Sequence, residues 1–326
     1  MSGPSGGAGN AAGARSARAA WAELLRLPAL FTVPGDALAG AAAAAPRPNS
    51  RTLLAICSSL CLYEAGMALN DWADRHEDAA ERPHRPLPSG RIRPAAALAA
   101  AGAFTGAGLS LAACAGRPTL AVATSLAATV WAYDLGLKRT PAGPVAMAAA
   151  RGLDLLLGAT ASTSSRTSRN AGTIPAPRTA SGLRRALPSA ALLGAHTLTV
   201  TTVSRRETQG GAPLVPLTAL ATTTALARLL TRPSTRPGPG VFASPSDLAL
   251  CTALAAAYAT TAARPYFHAA LNPSPPLTQR AVGGGIRATI PLQAALSARS
   301  GAPVTALLTA ALAPLAGRFA RKVSVT

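Results

Sequence analysis

The chain has 326 residues, of which 49% are hydrophobic and only 13% are charged. A soluble domain usually carries about 25% charged residues, so this composition argues against a soluble protein. The formal net charge is +19, but nearly all the positive charge is arginine placed between apolar stretches. That distribution argues against nucleic acid as a partner and favours contacts with the headgroups of membrane lipid.

The first elements in chain order are a tail and a series of apolar stretches. Residues 1–18 are rich in Gly, Ala and Ser and lack the apolar core of a signal peptide, so a disordered tail is expected there. Residues 19–326 are expected to form one membrane domain. A transmembrane helix needs about 20 mostly apolar residues. The candidate spans are Trp21–Ala45, Thr52–Leu69, Ala95–Ala115, Thr119–Leu137, Pro144–Ala161, Leu187–Val203, Pro213–Leu230, Ser246–Ala262, Ala281–Leu296 and Val304–Ala316.

These stretches predict an all-α fold, a polytopic membrane bundle in the plasma membrane. We expect nine transmembrane helices, and ten if Ala281–Leu296, which carries Arg287 and three glycines, also crosses as a short or tilted span. The span that begins at Thr119 has no charged face, and this argues against a soluble helical solenoid. Abundant small residues suit close helix packing in lipid.

Two polar intervals separate the spans. Residues 162–188 are rich in Ser, Thr, Arg and Pro without an apolar period, which predicts a flexible loop. Residues 71–93 are dense in charge, contain three prolines and lie between apolar helices. The five arginines of this second interval favour a cytoplasmic position, although the arginines of 162–188 would then lie outside.

The acidic residues are concentrated in the second interval. The chain has only twelve, and five of them fall between Asp71 and Glu81. If the second helix continues beyond the membrane surface, Asp71, Asp74 and Asp78 share one helical face. Such carboxylates repel one another unless a cation neutralises them, and oxygen ligands beside a substrate phosphate are typical of Mg²⁺. Glu64 lies on the same face, within the apolar stretch.

Arginines follow the acidic cluster. Arg82, Arg85 and Arg91 offer bidentate partners for phosphate oxygens. Carboxylates, Mg²⁺ and arginines beside an apolar bundle favour binding of a lipid diphosphate, with its headgroup at the interface. The alternative is a solvated loop in which acids and arginines only pair with each other. Arg151 and Asp154, three residues apart inside a span, form either a structural pair or part of a site.

The residue pattern resembles a known family. The run NDWADRHED fits the NDxxDxxxD signature of the UbiA prenyltransferase superfamily, and RPHRPLPSGRI is similar to the run that follows that signature. YDLGLKRTPAGP and ARGLDLLLGA are similar to later segments of the family. The resemblance covers the chain from about Trp21 to its C-terminus.

The resemblance implies an intramembrane prenyltransferase that moves a prenyl group from a polyprenyl diphosphate to an acceptor. It implies a Mg²⁺ site and a set of cations around the leaving diphosphate, with Asp71, Asp74 and Lys138 as the catalytic residues. The implied metal ligands are Asn70, Asp71, Asp74, Asp78 and Glu207. The implied diphosphate-binding residues are Arg82, Arg85, Arg139, Arg205 and Arg206.

One departure from the family pattern concerns its second acidic motif, DxxxD. The sequence TVSRRETQGG stands in its place and leaves Glu207 after two arginines. This replacement is similar to the EboC-like branch of the superfamily and puts a second metal ion in doubt. The alternatives are a catalytically silent membrane component of a biosynthetic pathway and a lipid or metabolite transporter, for which inverted repeats would be expected. The acceptor, the prenyl chain length and the oligomeric state stay open.

Overall fold

The computed structural model describes residues 17–44, 47–164, 178–207, 213–232 and 244–323, and these residues form helices with short connections. The chain begins with a short helix α1 (17–24) and a 3-10 segment, Leu27–Thr32. The further helices are α2 (Val33–Ala44), α3 (Ser50–Ala73), α4 (Arg75–Glu81), α5 (Pro94–Ala115), α6 (Arg117–Leu135), α7 (Gly143–Thr163), α8 (Arg178–Ser204), α9 (Leu214–Thr231), α10 (Pro245–Leu271), α11 (Pro275–Arg299) and α12 (Pro303–Val323). The all-α prediction is confirmed, with no strand among the described residues.

The helices form an antiparallel bundle. α3 packs against α2, α5, α6 and α7, and α11 packs against α2, α8, α10 and α12. We call the end of the bundle at which α3 finishes and α5 begins the site end; α6, α8 and α10 also finish there. Five of the described helices are long and apolar enough to cross a membrane: α3, α5, α7, the part of α8 from Ala180 to Ser204, and α9. The protein is a multi-pass membrane protein, and the count of nine or ten spans stays a prediction.

The first predicted span, Trp21–Ala45, is wrong as a single helix. Arg26 adopts a left-handed conformation with φ of 47°, which interrupts the helix after α1, and a 3-10 segment follows. Pro28 and Pro34 lack the backbone N–H that a continuous helix needs in its interior. The break matters for the site because it carries the Arg26 side chain back towards α3.

The two predicted polar intervals are shorter than expected. Within 71–93 the structure has α4, so that interval is partly helical. Of 162–188, residues 165–177 lie outside the described part, and 178–188 belong to α8. The start of α8 is amphipathic, since Gly182, Ala186 and Ser189 are buried while Arg184 and Arg185 are exposed. Because this segment is rich in Arg and Ser, its helical period was not recognised from the sequence. The disordered tail predicted for residues 1–18 falls almost wholly on residues outside the described ranges.

The weakly apolar ninth stretch lies within α11, a continuous helix of 25 residues. Nearly every residue from 288 to 298 is buried by other helices, including Gln293 and Ser297. Because protein surrounds residues 288–298, this part of the helix does not need the hydropathy of a helix that faces lipid.

The packing of α2 against α7 depends on two glycines. A methyl group at Gly40 would overlap the carbonyl oxygen of Leu155, and one at Gly158 would overlap the carbonyl oxygen of Ala37. The backbones of the two helices therefore touch, as small residues allow in membrane bundles. This contact fixes the position of α7, which carries Arg151 and Asp154.

We expect Gly40→Ala to lower the melting temperature of the detergent-purified protein by several degrees, because overpacking costs about 1–3 kcal/mol or more. The matched control is Gly102→Ala on α5, where a methyl group would meet no atom within 4 Å. That variant should melt at or above the wild-type temperature, since Ala favours a helix over Gly by about 1 kcal/mol. Equal melting of the two variants in a circular-dichroism scan would contradict the proposed helix contact.

Candidate active site

The acidic motif lies where α3 gives way to α4. Asn70 and Asp71 belong to the last turn of α3, and Asp74 caps that helix with φ of −90° and ψ of 3°. The backbone N–H of Asp74 still donates to the carbonyl of Asn70, and α4 begins at Arg75. The expected continuation of the second helix into the motif is therefore confirmed as far as Ala73, but the helix changes direction at Asp74.

Asp71 and Asp78 converge on one guanidinium group. Nη1 of Arg85 lies 3.5 Å from Oδ1 of Asp71 and 2.9 Å from Oδ2 of Asp78. Asp71 also accepts a hydrogen bond of 2.9 Å from Arg26, and Nε of Arg82 lies 3.2 Å from Asp78. The side chains of Asp71 and Asp78 are only 6% and 2% exposed, so each buried carboxylate depends on these cations for compensation.

Asp74 faces a different set of cations. Nζ of Lys138 lies 2.7 Å from its Oδ1 and Nη2 of Arg139 lies 3.1 Å from the same oxygen. Arg139 also reaches Glu77 at 3.4 Å. Of the expected stripe, Asp71 and Asp78 converge on Arg85, whereas Asp74, at the break between α3 and α4, contacts Lys138 and Arg139 in the connection between α6 and α7.

Asp134 and Arg26, which the sequence analysis did not assign to the site, also belong to it. Nδ2 of Asn70 donates to Oδ1 of Asp134 at 3.0 Å, and Nζ of Lys138 lies 4.0 Å from that oxygen. Arg26 is the other, through its contact with Asp71. A signal for Asp134 was present, since it is the single acid in its apolar stretch and precedes Lys138 by four residues, one helical turn. No sequence pattern pointed to Arg26.

An apolar cavity of about 260 Å³ opens beside these residues, between α3, α6 and α7. Its mouth carries the polar side chains Arg26, Asn70, Tyr133 and Asp134. Its middle is lined by Leu62, Met67, Leu126, Val130 and Met147. A polar mouth on an apolar cavity suits a ligand with a charged head and a hydrocarbon tail.

The inner end of the cavity is polar again. Arg151 lies there with Asp154, whose Oδ2 accepts a 2.7 Å hydrogen bond from Ser59. Nη1 of Arg151 forms an ion pair of 2.9 Å with Asp36 on α2, and Gln293 on α11 donates to Asp36 at 2.6 Å. Arg151 and Asp154 therefore do not simply pair with each other. Their network joins four helices, and no sequence pattern indicated that Asp36 or Gln293 belongs to it.

The predicted residues at the end of α8 are only partly joined to this site. The guanidinium of Arg205 donates to the carbonyl oxygen of Thr140, in the connection that also carries Lys138 and Arg139. Glu207 instead accepts a hydrogen bond from Ser204 at 3.3 Å. Within the described residues, neither Arg206 nor Glu207 contacts the aspartates.

The donor set fits a hard divalent cation in part. Asp71 and Asp78 place carboxylate oxygens beside one positive charge, the Arg85 guanidinium, and these two residues would hold a divalent cation. A larger group is not present: among the described residues no three His, Cys, Asp or Glu side chains are arranged to hold a metal ion. Two carboxylates leave the remaining positions of a Mg²⁺ ion to water and substrate oxygens, as is usual for this metal.

Comparisons with known proteins identify relatives of this chain. Digeranylgeranylglyceryl phosphate synthase from Methanopyrus kandleri is 35% identical over 128 residues, which are 37% of this chain and 45% of that protein. The chain thus matches less than half the length of such curated relatives.

Solved structures resemble the fold over most of the chain. A UbiA homologue from Aeropyrum pernix K1 has a TM-score of 0.59 at 16% identity and covers 82% of this chain and 96% of its own. A UbiA homologue from Archaeoglobus fulgidus bound to GPP and Mg²⁺ has a TM-score of 0.52 at 16% identity, with coverage of 87% and 99%. The UbiA prenyltransferase family profile matches residues 30–282, more than three quarters of the chain. This chain therefore belongs to the UbiA prenyltransferase family.

Proposed function

We propose that the protein is a Mg²⁺-dependent intramembrane prenyltransferase of the plasma membrane, in which residues 19–326 work as one domain. It would move a prenyl group from a polyprenyl diphosphate to a nucleophilic acceptor. The observation that supports this most directly is the polar mouth of the cavity, where Asn70 and Asp134 lie next to the aspartates and cations of the motif.

The substrate fits this arrangement in two parts. The diphosphate would lie at the mouth, where Lys138, Arg85 and Arg139 offer charge-assisted contacts to its oxygens. The prenyl chain would enter the apolar cavity, which holds about 260 Å³ and is therefore suited to only part of a long chain. The rest of a longer chain would lie between helices or in lipid.

The aspartates would hold the metal. Asp71 and Asp78, which already share one cation, are the proposed first ligands, and Asp74 and Asn70 stand next to them. When bound, Mg²⁺ supplies charge neutralisation to the leaving diphosphate. Arg85, Arg82 and Arg26 would then be released from the carboxylates and become available to phosphate oxygens.

The chain's own residues assist departure of the diphosphate and protect the carbon it leaves. The bond between C1 of the prenyl group and the diphosphate oxygen breaks, and the oxygen keeps the electron pair. Lys138 and Arg139 stabilise the negative charge that develops on it. The apolar side chains of the cavity exclude water, so that the acceptor rather than water forms the new bond to C1 and then gives up its proton.

The relatives suggest a class of acceptor to test. The related synthases are named for a prenylated glyceryl phosphate, so a glycerol phosphate derivative is the first acceptor to test.

We also propose that the chain belongs to the EboC-like branch. The end of α8 supports this, because Arg205 approaches the site while Glu207 is turned to Ser204. A silent component is the alternative favoured by that missing acidic motif.

The activity is tested with the purified full-length protein in liposomes, supplied with radiolabelled geranylgeranyl diphosphate, Mg²⁺ and a panel of acceptors that includes glycerol phosphate lipids. We expect label to move into an acceptor-dependent lipid product. If no acceptor takes up label and the protein shows no Mg²⁺-dependent binding of the diphosphate, the silent-component or transporter alternative is favoured instead.

Asp71→Asn should reduce kcat/KM at least about 100-fold, the size of loss typical when one preorganised electrostatic group is removed from an active site. Glu81→Gln is the matched control, because it removes one charge from the same acidic cluster at a side chain that is 62% exposed. We expect the control to keep activity within twofold. The melting temperature of Asp71→Asn is compared with that of the wild type to check that the variant is folded. Full turnover by a folded Asp71→Asn variant would rule out the proposed metal site.

The number of metal ions tests the branch assignment. With a second acidic motif absent, we expect one Mg²⁺ per chain when the ion is titrated calorimetrically into protein saturated with geranylgeranyl thiodiphosphate. Chelation should abolish turnover and added Mg²⁺ should restore it. Two ions per chain, with loss of one in Glu207→Gln, would show that Glu207 holds a metal and would count against the EboC-like proposal.

A further inference from the structure

A second cleft of about 260 Å³ lies between α10 and α11, towards the site end but away from the residues of the aspartate site. Four of its six lining residues are Arg264 and His268 on α10 and Arg280 and Arg287 on α11, and none of the six is acidic. We call it the arginine cleft. Its other lining residues, Pro265 and Leu277, are apolar.

The sequence builds this cleft through helical spacing and glycine. Arg264 and His268 are one turn apart on α10, and Arg280 and Arg287 are two turns apart on α11, so each helix presents two basic groups on one stripe. A methyl group at Gly283 would lie 3.4 Å from Nη1 of Arg287, so the glycine leaves room for that guanidinium. At Gly284 a methyl group would press against Pro265, which shows how closely the two helices approach there.

The arginines of the cleft are exposed and differ from the arginines that have protein partners. Arg26, Arg85 and Arg151 pair with aspartates, and Arg185 and Arg299 donate to backbone carbonyls. For the three arginines of the cleft, no ion pair or hydrogen bond is formed with any described residue. Cations gathered without a counter-charge repel one another, and an anion would relieve that repulsion.

The surroundings of the cleft indicate what kind of anion it takes. Large apolar side chains that lie close to the lining residues along the chain are exposed: Phe267 is 49%, Leu271 70% and Ile286 51% exposed. Arg264 lies seven residues before the end of α10, about 10 Å along the helix, within reach of the headgroup region for a long side chain. Cations next to exposed apolar groups match a molecule with an anionic head and acyl chains.

We propose that the arginine cleft binds the phosphate group of an anionic phospholipid, with the acyl chains against Phe267 and Ile286. The guanidinium groups are suited to this because their forked donors match two phosphate oxygens at once. The site is separate from the proposed catalytic aspartates, and lipid binding at it does not depend on prenyl transfer.

The experiment is a titration of the full-length protein with lipids, read by native mass spectrometry after release from detergent micelles. Phosphatidylglycerol is compared with phosphatidylcholine on the wild type and on the double variant Arg280→Gln/Arg287→Gln. The matched control is Arg228→Gln/Arg318→Gln, which removes two charges from exposed positions on α9 and α12. Competition with 10-fold excess inorganic phosphate over lipid, or glycerol phosphate at the same excess, tests a soluble source of the anion.

We expect the wild type to bind phosphatidylglycerol at least about tenfold more tightly than phosphatidylcholine. The cleft variant should lose at least about tenfold in that affinity, while the control stays within about twofold. Equal binding of the two lipids by the wild type would overturn the proposal. This comparison needs no variant, so the proposal can be tested even if the cleft variant does not fold. Displacement of the lipid by the soluble phosphates would also overturn it, in favour of a soluble phosphorylated ligand.

Discussion

The pairing of Asp71 and Asp78 with one guanidinium, that of Arg85, is the interaction on which the site end depends. A carboxylate that is almost fully buried next to a membrane must be compensated by a cation or lose its charge. Because Arg85 comes from the segment after α4 and Arg26 from the break before α2, these pairs tie two distant parts of the chain to the end of α3. The compensation that stabilises the fold also gathers the groups that a diphosphate needs.

Close helix contacts set the other half of the geometry. Gly40 and Gly158 bring the backbones of α2 and α7 together, so that Asp36 on one helix reaches Arg151 on the other. A polar network inside a membrane bundle is costly unless each charge has a partner, and here Gln293 and Ser59 supply hydrogen bonds at its margins. Packing of small residues therefore determines the inner limit of the cavity, and Asn70 of the motif lies at its mouth with Asp134.

The sequence allowed the helical class, the location of the acids and their cationic partners to be predicted, because these follow from local composition and spacing. Arg82, Arg85, Lys138 and Arg139 all contact the aspartates, and the role at a diphosphate that the resemblance implied for them stays a prediction. What it did not reveal depends on backbone direction or distant contacts. The turn at Asp74, the left-handed Arg26 and the pairing of Asn70 with Asp134 each follow from tertiary packing, and no local period marks them.

Charge compensation also separates three kinds of polar cluster in one bundle. The network around Asp36 is internal to the bundle: Arg151 and Gln293 contact Asp36, while Oδ1 of Asp154 and Oε1 of Gln293 are buried without a hydrogen-bond partner among the described residues. In the aspartate site each carboxylate of the motif has a cationic partner, and in the proposed reaction a metal ion and a diphosphate would take over these contacts. The arginine cleft has no acid among its lining residues, and the proposed lipid phosphate would supply its counter-charge. The number of acids near each arginine falls from two at Arg151 to none in the cleft, and this difference distinguishes arginines that hold helices together from arginines that a ligand could reach.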